Sequence, residues 1–117
     1  MKKKLVASVV RHTVPAGIVG AYSLGSNTST TPQYVGRSDT DLRRRLLQHS
    51  VKGRFDWFIA TPTKDSYSAF YLECRSWHSL MRSPLTNRIH PAMPIGNAVM
   101  CPFCDFVQVV DSRTYIC

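Results

Sequence analysis

Apolar and polar residues along the 117-residue chain follow two different periods, and the switches between them mark the elements. In "VPAGIVGAYSLG" (Val14 to Gly25), Ile18, Gly20, Tyr22 and Leu24 fall on one face by period-two alternation, which predicts a strand with Tyr22 among buried residues. The polar stretch Ser26 to Pro32 reads as a loop into a second strand, Gln33 to Gly36, and the pair should form an antiparallel hairpin. Ser38-Asp39-Thr40-Asp41 resembles a capping box, a hydroxyl followed by an acid three residues on, so a helix should begin there and run to about His49. Phe55 to Thr61 predicts a third strand and Ser66 to Met81 a second helix. The three prolines between Arg82 and Gly96 predict irregular backbone, and Phe106 to Val110 a further short strand.

At 100° per residue, Leu42, Arg45, Leu46 and His49 share one narrow face of the first helix, while Arg44 and Gln48 point away. Arg45 and His49 therefore border the surface that packs on the sheet. On the second helix Ala69, Phe70, Glu73, Trp77 and Leu80 fall together, which places Glu73, the only glutamate in the chain, on an apolar face. A buried carboxylate needs a compensating cation. Two explanations follow: a structural ion pair with an arginine such as Arg45, or a metal ligand or catalytic acid.

Charge narrows the partners. Fifteen Lys and Arg against seven acids give a net +8, and after Arg88 the only basic residue of these types is Arg113. An acidic polymer, DNA first, is the expected partner. Lys2-Lys3-Lys4 before the run Leu5 to Val10 imitates a signal peptide, but Arg11 and His12 break the run too early. With no transmembrane stretch either, the expected location is cytoplasmic, where the four cysteines are thiols or metal ligands. The length accommodates one core, so the expected organisation is a basic N-terminal arm over 1–13, one α+β domain over 14–96 and a cysteine-containing tail over 97–117.

Gly20-Ala21-Tyr22, Tyr34-Val35-Gly36, Arg45, His49, Glu73 and Asn87, in this order and spacing, resemble the GIY-YIG nuclease family. The resemblance covers about Val14 to Gly96. It implies a small three-stranded antiparallel β-sheet flanked by helices, and an endonuclease that hydrolyses DNA phosphodiester bonds with one divalent ion, Mg²⁺ or Mn²⁺. Carried over residue by residue, it implies that Glu73 binds the metal, Arg45 contacts the scissile phosphate, and Tyr22 and Tyr34 position or deprotonate the attacking water. His49 and Asn87 match supporting positions, and the base is either Tyr22 or His49. Ala21 stands where the family has isoleucine. The Tyr34 to Arg45 interval is one residue longer than usual, which brings Arg44 into question, but the helical face favours Arg45.

Beyond these, Arg37, Arg43 and Arg44 are expected to contact DNA phosphates. Specificity would come from a dimer, a partner protein or DNA shape. In the tail, Cys101-Pro102-Phe103-Cys104 is a C-x-x-C knuckle and Cys117 lies thirteen residues beyond Cys104. Together they offer three zinc ligands, with the fourth from Cys74, His78, His90 or another chain. A DNA-binding module with the same scaffold and a zinc knuckle, but no cleavage, is the alternative function.

Overall fold

The expected hairpin forms, and it organises the rest of the molecule. In the computed structural model, which describes residues 1–83, 85–87, 89–96, 99–104, 108–109 and 115–116, strand β2 (Gly20–Gly25) pairs antiparallel with β3 (Tyr34–Ser38). The register sets Tyr22 opposite Gly36 and Leu24 opposite Tyr34. β2 is shorter than Val14 to Gly25 because Gly17 takes a positive φ of 75° and turns the chain before it enters the sheet. β4 (Trp57–Pro62) pairs antiparallel with the other side of β2.

The sheet has four strands rather than three, in the order β1-β4-β2-β3. β1 is Lys3–Lys4, paired with Trp57 and Phe58, and it leads into helix α1 (Ala7–Thr13). The segment expected to be a basic arm is thus integrated into the fold. Its apolar residues explain this: Leu5 and Val10, with Val14 just after it, are buried with Tyr22, Leu24, Leu42, Leu46 and Phe58 in the main core.

Helix α2 (Leu42–Lys52) buries Leu42, Leu46 and His49, the face that periodicity identified. Asp41 is its N-cap and accepts from the Arg44 amide, whereas Ser38 Oγ accepts from the Asp41 amide one step earlier. Gly53, at a φ of 67°, closes the helix in the left-handed conformation. Helix α3 (Ser66–Leu80), capped by Asp65, buries Ala69, Phe70, Glu73, Cys74 and Trp77 and packs on β2 and β3. Its Trp77 forms a second cluster with Val35 and Leu85, and Phe70 and Cys74 a third with Met93 and Cys101. Val35 is therefore covered by α3, and Tyr22, one strand over and of opposite side-chain parity, by α2.

After α3 the chain runs along the edge of β3. Thr86 donates from its amide and hydroxyl to the Gln33 carbonyl. Asn87 Nδ2 donates to the Val35 carbonyl at 2.6 Å, and the Val35 amide donates to Asn87 Oδ1 at 3.2 Å. The carboxamide acts as a substitute peptide for the Val35 backbone on the edge strand. Further on, β5 (Gln108–Val109) pairs antiparallel with β6 (Tyr115–Ile116), within the expected strand Phe106 to Val110. Among the described residues no helix is long and apolar enough to cross a membrane.

Candidate active site and metal-binding cluster

Gly36 is where the first group of side chains meets. A β-carbon on it would lie 2.6 Å from both Cζ and the hydroxyl of Tyr22, so only glycine lets that ring cross the edge strand. Tyr22 and Tyr34 stack with ring centroids 6.2 Å apart, and the His49 ring lies 5.3 Å from Tyr22 and 5.1 Å from Tyr34. The Tyr22 hydroxyl is 2.8 Å from His49 Nε2.

Burial, followed by the charges of Arg45 and Lys52, pushes His49 down to about 4, so the imidazole is neutral near pH 7. Burial, with Tyr34 beside it, holds the Tyr22 phenol above its ordinary range against the pull of Arg45. A neutral imidazole and a protonated phenol are joined best by the phenol O–H donating to Nε2. Arg45 is half-buried, donates to Gln48 Oε1 at 3.0 Å, and acts electrostatically on both phenols.

Glu73 approaches from the other face of the sheet. It is buried, as its helical position indicated, but its partner is Arg37: Nη1 donates to Glu73 Oε1 at 2.7 Å. Arg37 also gives Asp39 two hydrogen bonds, at 2.8 and 3.3 Å, and its guanidinium sits 5.1 Å from the Phe70 ring centre. Burial pushes Glu73 up to about 7, against the attraction of Arg37 and with added repulsion from Asp39. The anticipated ion pair therefore exists with a different arginine. Strand alternation explains it, because Arg37 shares a face with Val35, toward α3, while Tyr34 and Gly36 share the other.

The three expected phosphate contacts separate. Arg37 is engaged with Glu73 and Asp39. Arg43 donates to the carbonyls of Val14 at 2.6 Å and Arg11 at 2.9 Å, which fastens α1 to α2. Arg44 is exposed. Two cations that sequence patterning passed over, Lys52 and Arg54, line a cleft of about 550 Å³ together with Tyr34, His49, Phe55, Asn87 and others. Their position just beyond the α2 face was the available signal.

A second group lies at the far end of α3. Ligand atoms of His78, His90, Cys101 and Cys104 all fall within 4.8 Å of one another, so the knuckle meets two histidines in a cluster able to hold a metal. Cys74 does not belong to this set; it is buried against Phe70, Met93 and Cys101. Cys117, expected as a third sulfur ligand, lies outside the described residues.

No family model matches the chain, and neither a curated protein nor a solved structure is significantly similar to it.

Proposed function

We propose that the chain is a metal-dependent endonuclease of GIY-YIG type acting on DNA phosphodiester bonds. The observation that carries this is the Tyr22–His49 hydrogen bond packed beside Tyr34 and Arg45, with the buried Glu73 held by Arg37 on the opposite face of the same strand pair.

The chemistry suits these groups. Glu73 is a hard oxygen donor, and Mg²⁺ or Mn²⁺ held by one carboxylate, substrate phosphate and water is within the normal habits of such ions. Arg37 takes Oε1, which leaves the carboxylate's second oxygen as the donor for a cation. When bound, that cation supplies charge stabilisation at the phosphate and the leaving oxygen. Arg45 presents a planar fork of donors to phosphate oxygens as negative charge builds. Tyr22 takes a proton from the attacking water while passing its own to His49 Nε2. A phosphate paired with Arg45 cancels one of the charges that hold His49 down, so substrate binding makes His49 a better acceptor. Lys52, Arg54 and Arg44 provide non-specific phosphate contacts, and binding is accordingly salt-dependent.

Arg37 favours a second reading, a DNA-binding module that does not cut, because Glu73 already has a cation at 2.7 Å. Supercoiled plasmid and branched DNA incubated with Mg²⁺, Mn²⁺ or EDTA separate the two. Nicking by the wild type that EDTA and Glu73→Gln both abolish is expected. Metal-independent retention of DNA without nicking would establish the binding module instead.

A further inference from the structure

We propose that His78, His90, Cys101 and Cys104 form a closed, four-coordinate zinc site that pins the segment after α3 and thereby holds Asn87 on the edge of β3. The site stands independently of nuclease activity.

Distances carry the first part. His78 Nε2 is 3.4 Å from Cys101 Sγ and 3.6 Å from Cys104 Sγ, and His90 Nε2 is 3.4 Å from Cys104 Sγ. Tetrahedral zinc, with Zn–S of about 2.3 Å and Zn–N of about 2.0–2.1 Å, sets nitrogen and sulfur ligands about 3.5 Å apart. The ligand types agree, since two thiolates and two imidazoles suit Zn²⁺ and are poor partners for Mg²⁺.

An outer hydrogen bond carries the second part. The Pro91 carbonyl can only accept, so His90 Nδ1 is the protonated nitrogen in the 2.8 Å contact with it, and Nε2 keeps its lone pair for the cluster. Aromatic rings close the surroundings: Trp77 lies 5.2 Å from both histidine rings and Phe103 6.0 Å from His78. Four protein ligands leave no position for substrate, which makes the site structural.

Connectivity carries the third. His90 follows Asn87 by three residues, and His78 follows Trp77, whose Nε1 donates to the Asn87 carbonyl at 3.1 Å. A metal joining His78 to His90 therefore fixes the Asn87 backbone from both sides.

Cys104 stands in a disulfide in the structure. Loading requires a phosphine or thiol reductant to supply two electrons and convert that bond to thiols, which release protons to zinc on binding. Reduced full-length protein, titrated with Zn²⁺ and passed through a desalting column, should retain one zinc per chain by elemental analysis. Co²⁺ in its place should give the visible bands of a tetrahedral thiolate site. Cys104→Ser and His90→Ala should each weaken retention by at least tenfold, whereas Cys74→Ser and Cys117→Ser should keep one zinc. No zinc on reduced wild type would overturn the site, as would octahedral cobalt bands. Loss of zinc in Cys117→Ser with retention in His90→Ala would overturn the ligand set. The wild-type measurements decide the matter even if a variant fails to fold.

Discussion

The sheet region carrying Tyr22, His49 and the Arg37–Glu73 pair and the histidine-cysteine cluster both receive a side chain from α3, Glu73 and His78, but they are built on opposite logic. At the first, a single buried carboxylate is raised to about 7 and opposed by Arg37, with a neutral His49 and a protonated Tyr22 across the strand. At the second, four borderline ligands lie within 4.8 Å of one another and one is oriented by a backbone carbonyl. On the proposed reading, a centre that admits a phosphate would keep its carboxylate balanced by a protein cation rather than by a full set of chain ligands. A site that only maintains shape, as proposed for the cluster, would take all four ligands from the chain.

The largest expected effect separates the two directly. Glu73→Gln keeps an acceptor for Arg37 but removes the charge, so cleavage should fall by roughly 10³-fold, at the upper end of what losing one transition-state stabilising group costs. Its zinc content should not change, and a loss of zinc would mean that the two regions are one unit. Arg45→Lys should come next, with kcat falling about 10²-fold and DNA affinity nearly kept, because a point charge replaces a planar fork. An effect on affinity alone would place Arg45 among the general phosphate contacts.

Acid dependence sharpens the contrast further. The folded pKa of Glu73 is raised, so its contribution to stability is fully present below about 4.5 and is lost as pH rises through about 7. His49 has the opposite sign: its contribution is present above about 6.5 and is lost as pH falls through about 4. Saturating Mg²⁺ should therefore raise the thermal midpoint more at pH 8 than at pH 5.5, and Glu73→Gln should erase that difference. An equal Mg²⁺ effect at both pH values would remove Glu73 as the site of binding. The smallest expected effect joins the two regions: stripping zinc should speed hydrogen exchange at the Val35 amide, which donates to Asn87. Unchanged exchange would limit the cluster to its own loop.

Much of this was legible in the sequence because it depends on local period. Leu42, Leu46 and His49 are buried as 3.6-residue spacing requires, Glu73 lies inside α3 as its apolar neighbours required, and Tyr22 faces the core with Leu24. Helical periodicity points Glu73 toward an arginine such as Arg45, whereas its partner is Arg37 on the α3-facing side of β3. Period-two alternation from Val35 contains that information. Other features depend on packing between distant segments. Arg43 reaches Val14 and Arg11 only because α1 lies beside α2. Two lysines gave no strand signal, and β1 exists because Leu5 behind it is buried and bonded to Asp56. The intervals of eleven residues from His78 to His90 and ten from His90 to Cys101 are too wide for spacing alone to choose those histidines over Cys74.

The central claim, that Glu73 serves cleavage while the cluster serves structure, is tested most directly in one assay on two zinc-loaded proteins. Wild type and Glu73→Gln, each verified to carry one zinc per chain, are compared for single-turnover cleavage of labelled DNA at saturating Mg²⁺. Cleavage by the wild type and its loss in Glu73→Gln at equal zinc content is the expected result. Equal rates in the two proteins would contradict it.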